Sequence, residues 1–230
     1  MRASISILLL FIGSLAFAQQ MSYDEWTTEA KKVIRMQPKY GNAIKTKEQI
    51  EADKKLTAAY LEQAGTPRKA SELLISLGYD YFNKGELKTA MSRFNQAWIL
   101  DPKNENVFRA YGAIYFTFKD YVKALQQYDE GLTLNPENSA LLTDKATVYM
   151  TYFQTDGIMP ELDKAITLLL TSYKIDGNDQ NTLVKLSGCY LLKGDCTNAW
   201  KFYNACQALG GKTITNAYTE SLRQFCGNKN

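Results

Sequence analysis

Apolar side chains between residues 71 and 213 recur every three to four positions, which is the spacing of amphipathic α-helices. Short polar segments containing proline interrupt this pattern at 101–104 (DPKN) and 135–138 (NPEN). Such segments end one helix and begin the next. The strict apolar–polar alternation of a half-buried β-strand does not occur. The pattern therefore predicts an all-α fold built from helical hairpins.

A second pattern repeats at a longer interval. A small residue followed three positions later by tyrosine occurs at Gly78–Tyr81, Gly112–Tyr115, Ala146–Tyr149 and Ser187–Tyr190. An alanine followed four positions later by a large apolar residue occurs at Ala90–Phe94, Ala124–Tyr128, Ala165–Leu169 and Ala199–Tyr203. The first three units follow each other at one constant interval, whereas the fourth begins later because the third carries an insertion. Because antiparallel helices approach closely only where side chains are small, the repeat predicts stacked hairpins whose core runs along the stack.

These residues resemble the tetratricopeptide repeat (TPR) family, whose loose motif is Leu-Gly-x-x-Tyr, then Ala-x-x-x-Phe, then Pro. Unit one carries the full motif in Leu77-Gly78-Tyr81, Ala90, Phe94 and Pro102, and unit two nearly so, with Pro136 at its end. Units three and four depart from it, with Lys145 in place of leucine, Ser187 in place of glycine, and Gly177 and Gly211 in place of the closing proline. The resemblance implies a helical solenoid with repeats at 71–104, 105–138, 139–179 and 180–213.

The segments on either side of the repeats lack the motif, and we expect them to cap the solenoid. In the N-terminal cap, residues 19–70, a first helix is predicted over 22–36. Thr46 and Gln49 form a capping box that begins a second helix, which runs to about Ala64. In the C-terminal cap, residues 214–230, a last helix is predicted to turn one apolar face inwards, with Ile214, Tyr218, Leu222 and Phe225 on it. The extra residues of unit three lie around 153–160, where a longer loop is expected, or alternatively a protrusion that contacts a partner.

The N-terminal segment 1–18 has the composition of an export signal. Arg2 precedes an apolar stretch from Ile5 to Phe17, and the sequence Ala-Phe-Ala at 16–18 is typical of a cleavage site before Gln19. The apolar stretch is shorter than the ~20 residues of a transmembrane helix. The sequence thus predicts an exported protein of the periplasm, with the cell surface or secretion as alternatives, and peripheral or no membrane contact.

Composition excludes several kinds of chemistry. The chain contains no histidine, which rules out a Ser-His-Asp or Cys-His nucleophile within it. A glycine-rich phosphate loop is absent as well. The formal net charge of +3 is close to balance and gives no indication of nucleic-acid binding. We therefore expect no catalytic residues, no cofactor and no metal site.

The four cysteines all lie near the C-terminus, where disulfides are expected in an exported protein. Cys196 begins the second helix of unit four and Cys226 ends the following helix, so both are predicted at the same end of the stack. We predict a Cys196–Cys226 disulfide with Cys206 buried and unpaired. Cys189 is the main competing partner, and zinc binding by four thiolates is a weaker alternative because no C-x-x-C pair occurs.

The TPR resemblance implies a protein-binding function, with a groove lined by the first helix of each hairpin. The residues that this assigns to the groove are Ile75, Tyr79, Phe82, Arg109, Phe116, Thr147, Met150, Val184 and Leu191. Ile75 and Tyr79 stand where some TPR proteins hold a peptide carboxylate with polar side chains, so an apolar groove is expected instead. A partner peptide or helix, or the helix around Trp26, is expected to fill it. The predicted function is that of an exported scaffold or adaptor, and the alternative is a structural subunit of an envelope or secretion assembly whose groove is permanently occupied.

Overall fold

The structure is a computed structural model that describes residues 21–227. Its helices are α1 (Tyr23–Ala30), α2 (Lys47–Ala64), α3 (Pro67–Asn83), α4 (Leu87–Leu100), α5 (Glu105–Thr117), α6 (Tyr121–Leu134), α7 (Ser139–Asp156), α8 (Met159–Ile175), α9 (Gln180–Leu192), α10 (Cys196–Ala208) and α11 (Asn216–Cys226). Two 3₁₀ segments, Ile34–Met36 and Pro38–Asn42, lie between α1 and α2. The predicted export signal falls outside the described residues. None of the helices described is long and apolar enough to cross a membrane.

The helices pack as four antiparallel hairpins that stack in chain order. The hairpins are α3–α4, α5–α6, α7–α8 and α9–α10, and the second helix of each also packs against the first helix of the next. The first helices α3, α5, α7 and α9 are in turn neighbours along one side. The all-α prediction is confirmed, and this arrangement places one continuous face of first helices opposite one face of second helices.

Aromatic rings cover the motif glycines. A β-carbon added to Gly78 would overlap the ring of Phe94, and one added to Gly112 would overlap the ring of Tyr128. Phe94 and Tyr128 follow Ala90 and Ala124 by four positions. The glycine and the aromatic residue therefore form one packing unit in each of the first two repeats.

Asparagine side chains connect successive repeats at their turns. The Asn104 amide donates hydrogen bonds of 2.9 Å to the Ser71 hydroxyl and to the Glu72 carboxylate in the preceding hairpin. One repeat later, the Asn138 amide donates to Glu105 at 3.3 Å and to Asn106 at 3.0 Å. Asn104 and Asn138 also cap α5 and α7 through their side-chain oxygens. Each asparagine therefore fixes both the start of its own helix and the position of the hairpin before it.

The extra residues of the third hairpin lengthen its helices. Helix α7 has 18 residues where α5 has 13, and α8 has 17 where α6 has 14. Only Gly157 and Ile158 connect α7 to α8, and Pro160 lies in the first turn of α8. The expected longer loop is thus wrong. The hairpin instead projects beyond its neighbours, with Ile158 and Met159 exposed at its tip.

The N-terminal segment, residues 21–42, packs against the second helices of the first two hairpins. Helix α1 ends at Ala30, earlier than predicted, and the chain then turns so that Met36 is buried against α4. The ring centroids of Trp26 and Phe118 lie 5.1 Å apart. Lys39 Nζ pairs with Glu130 Oε1 of α6 at 2.6 Å. Of the two occupants that the sequence left open for the groove of first helices, the Trp26 helix is therefore excluded, because the segment lies against α4 and α6.

The C-terminal helix α11 covers the last hairpin and is bonded to it. Leu222 is fully buried against Ala199 and Tyr203 of α10. The structure joins Cys196 to Cys226, with Cα atoms 5.4 Å apart, and leaves Cys189 and Cys206 buried as free thiols. The predicted pairing is present. Phe225, which we assigned to the buried face of this helix, is 74% exposed instead.

Candidate functional site

The first helices enclose a concavity that we call the concave pocket. Its volume is about 180 Å³, and α3, α5, α6, α7 and α9 all contribute to it. The lining residues are Phe82, Ala113, Phe116, Thr117, Tyr128, Asp144, Thr147 and Lys185. Since three successive hairpins and the first helix of the fourth meet here, the stacking of the repeats creates the pocket.

One wall of the concave pocket is aromatic. Tyr79 lies edge-on to Phe82 and to Phe94, with ring centroids 6.0 and 5.3 Å apart. Burial raises the pKa of Tyr79 to about 12, so its hydroxyl is neutral at physiological pH. Phe116 packs on Tyr121, with centroids 5.4 Å apart. This wall offers apolar surface to a ligand.

The lining of the concave pocket also contains charged side chains. Arg109 donates from Nε to Asp144 Oδ2 at 2.6 Å. Burial alone would lower the pKa of Arg109, but the charge and hydrogen bond of Asp144 together with the nearby Tyr79 and Tyr128 outweigh it, and the pKa is raised. Lys185 donates to Asn181 Oδ1 at 2.6 Å, and burial lowers the pKa of its amine. The pocket thus presents the Lys185 amine and the Asp144 carboxylate, which is paired with Arg109, beside an aromatic surface, and its character is amphipathic.

The structure separates the residues assigned to the groove into three groups. Phe82, Phe116 and Thr147 line the concave pocket, while Tyr79 and Arg109 contact the lining residues Phe82 and Asp144. Ile75 is only 5% exposed and belongs to the core, so its assignment as a groove residue was wrong. Three more assigned residues pack within the C-terminal half of the solenoid: Met150, Val184 and Leu191.

Sequence reasoning missed Asp144 and Lys185. Asp144 lies two positions before the small residue Ala146, and Lys185 lies two positions before Ser187. The TPR motif specifies no residue type at this position. The signal was the charge at this position in consecutive units, acidic in one and basic in the next. Among residues 21–227, no group of three or more Cys, Asp or Glu side chains is arranged to hold a metal ion.

Stacked helical hairpins with glycine–aromatic packing and a concave face of first helices define a helical-repeat fold of the TPR type. Solved structures share this fold. One is a thermophilic TPR protein of Thermus thermophilus, TTC0263, with a TM-score of 0.56 and 14% identity over 67% of this chain and 80% of that one. Another is PilF of Pseudomonas aeruginosa, with a TM-score of 0.52 and 19% identity over 76% of this chain and 87% of that one. No protein-family model and no curated protein matches the chain. At these identities the likeness concerns the fold alone.

Proposed function

We propose that this protein is an exported scaffold that binds a segment of a partner protein in its concave pocket. The observation that carries the proposal is the convergence of Phe82, Phe116, Asp144 and Lys185, from four first helices, on one cleft. An apolar side chain of the partner would lie against the two phenylalanine rings. Polar groups of the partner would meet Asp144 and Lys185, so the cleft can select both shape and charge.

Export is part of the same proposal. It rests on the apolar stretch from Ile5 to Phe17 and on the Ala-Phe-Ala sequence at 16–18. The disulfide between Cys196 and Cys226 supports it, since such bonds persist in oxidising compartments. The intact mass of protein isolated from cells tests this point: a chain that begins at Gln19 is expected, and a chain that retains Met1 would contradict it.

Site-specific photo-crosslinking in intact cells tests the binding surface. A photoreactive residue at Thr117, which lines the pocket, is expected to give one discrete adduct. The same residue at Thr133, which is exposed on α6 and does not line the pocket, is the matched control and should give none. Adducts from Thr133 alone would place the binding surface on the second helices.

Substitution of the aromatic wall gives a second test. The Phe82→Ala/Phe116→Ala variant should lose the Thr117 adduct while remaining helical by circular dichroism. Phe225→Ala is the matched control, because Phe225 is an exposed phenylalanine far along the chain. Because Phe82 also touches the core, Thr117→Arg on the exposed rim provides a variant that blocks the pocket without removing core contacts. For this variant the readout is co-purification of the partner that the Thr117 adduct identifies, which should be lost.

The alternative function is that of a structural subunit whose pocket is always filled. The exposed apolar tip at Ile158 and Met159 is the observation that favours it, because such a tip can contact further subunits of an assembly. The two functions differ in the state of the isolated protein. A monomer that binds its partner reversibly supports the scaffold, and a complex that cannot be separated without unfolding supports the subunit.

A further inference from the structure

The site that holds helix α1 is built from residues that recur in the next repeat. The hydroxyl of Tyr23 lies between Asp120, to which it donates, and Lys123 Nζ, from which it accepts at 2.9 Å. Lys123 Nζ also lies 5.5 Å from the ring centroid of Tyr115. These three residues, Tyr115, Asp120 and Lys123, form what we call the α1 site.

Tyr149, Glu161 and Lys164 occupy the corresponding positions one repeat later. Tyr149 follows Tyr115 by the constant interval of the first units. Glu161 and Lys164 follow Asp120 and Lys123 by the longer interval, because the insertion lies between Tyr149 and Glu161. The geometry recurs too. Lys164 Nζ lies 5.3 Å from the ring centroid of Tyr149 and 2.8 Å from the Glu161 carboxylate.

This second site is open. Tyr149 and Lys164 line a surface groove of about 510 Å³ together with Lys145, Pro160, Asp163, Thr167 and Leu168. No other described segment of the chain lines it. Its charges are already paired, Lys145 with Asp129 and Asp163 with Lys193. A ligand would therefore be selected by hydrogen bonding and aromatic contact, and much less by net charge.

The next repeat reproduces the residues that contact helix α1, but it does not reproduce the residues that hold the backbone after α1. In the first two repeats, Asn95 and Tyr111 hydrogen-bond each other and the backbone of residues 35–39. Their counterparts in the next repeat are Asp129 and Lys145, which form an ion pair with each other. The second groove thus lacks the groups that hold the backbone after α1, and it fits a short helix without the continuation seen in residues 31–42.

We propose that the groove lined by Tyr149 and Lys164, with Glu161 bonded to Lys164 beside it, is a second helix-docking site on the face opposite the concave pocket. Its occupant is a short amphipathic helix of a partner protein that presents a tyrosine and, three residues later, a large aromatic residue. Helix α1 presents Tyr23 and Trp26 at this spacing. The tyrosine hydroxyl would donate to Glu161 and accept from Lys164. Helix α1 itself stays in its own site, because its tether gives it a high effective concentration there.

A labelled peptide of residues 21–31 tests the proposal as a stand-in for the partner helix. Fluorescence anisotropy with the purified full chain should show saturable binding with a Kd below about 1 mM. The affinity is expected to be modest because so short a helix is marginal in water. Lys164→Ala in the chain, or Tyr23→Phe in the peptide, should weaken binding about tenfold, as expected for loss of a charge-assisted hydrogen bond. Lys164 is exposed, so its replacement leaves the fold intact.

Lys123→Ala is the matched control, because it makes the same change in the occupied α1 site. Binding of added peptide that persists in Lys123→Ala and falls in Lys164→Ala supports the second site. The reverse pattern would show that the peptide displaces α1, and an absence of saturable binding would likewise overturn the proposal. If the full chain self-associates and Lys164→Ala abolishes this association, the occupant of the groove is α1 of a second copy. That outcome would contradict a separate partner protein as the occupant.

Discussion

The phenyl ring of Phe94 lies over the Cα atom of Gly78, in the space that a β-carbon would fill. Tyr128 and Gly112 repeat this relationship in the next hairpin. Both aromatic residues are at most 2% exposed, so neither ring can move aside into solvent. The close approach of the two helices in each hairpin therefore depends on the absence of a single methyl group.

Gly112→Ala is accordingly expected to destabilise the fold, by about 1–3 kcal/mol, because overpacking forces the buried Tyr128 ring to shift. Thermal unfolding followed by circular dichroism measures this. Gly188→Ala is the matched control, since Gly188 also lies inside a helix but has open space around its Cα. That change should stabilise the chain by about 0.5–1 kcal/mol through helix propensity. Equal effects at both positions would contradict the packing described.

The disulfide at the C-terminal end should stabilise the cap. Removing it by Cys196→Ser/Cys226→Ser is expected to lower the free energy of unfolding by about 3–4 kcal/mol, the range for a loop of this size. Hydrogen exchange should rise first in α11, in which Leu222 is the only buried residue. A reductant should reproduce the loss in the wild type and have no effect on the variant. A linked peptide containing Cys206 would show that the pairing is wrong.

Asn95 should hold the N-terminal segment in place. Its side chain is fully buried, donates to Arg35 O and Gln37 O at 2.9 Å each and accepts from the Tyr111 hydroxyl at 2.7 Å. Asn95→Ala removes all three hydrogen bonds, although Gln37 O keeps the Tyr40 N–H and the Tyr111 hydroxyl keeps the Lys39 N–H. The expected loss of stability is therefore about 1–3 kcal/mol in total. We expect faster hydrogen exchange at residues 33–42 and no change in crosslinking from Thr117. The exposed Asn83→Ala serves as control.

Glu105 should contribute to stability against acid. Burial would raise the pKa of this carboxyl, but hydrogen bonds from Asn135 and the backbone and the ion pair with Arg68 outweigh it and lower the pKa. A lowered folded-state pKa gives stability that is present above the unfolded pKa and lost as the pH falls through the folded pKa. Urea unfolding between pH 7 and pH 3 should show a steeper loss below about pH 4.3 in the wild type than in Glu105→Gln. Parallel curves would exclude this role for Glu105.

The helices were predictable because their periodicity and caps are local. Thr46 and Gln49 form the capping box that their spacing indicates, and α2 ends at Ala64 with Gly65 in the left-handed conformation. The path of residues 31–42 was not predictable, because it depends on Asn95 and Tyr111, which lie in later helices far along the chain. Ile75 was misassigned for a related reason, since the motif gives a helix face but cannot tell which residues the neighbouring helix covers.

The concave pocket was predicted only in part, because some of its residues meet through contacts between different repeats. Phe82 and Phe116 follow from the position of the first helices. The pairing of Arg109 with Asp144 joins residues of different repeats, and it depends on how two hairpins are rotated against each other. That rotation is set by side-chain packing along the whole stack, which no single repeat encodes.

The projecting third hairpin has a consequence for how this protein can change in length. Its additional residues are shared between two antiparallel helices, and Ala146 and Ala165 keep their fully buried places at the base. Growth at the tip therefore leaves the neighbouring hairpins undisturbed. Helical turns can be added at this tip in pairs, one to each helix. Such additions, natural or engineered, change the outline of the molecule and leave its interior unchanged.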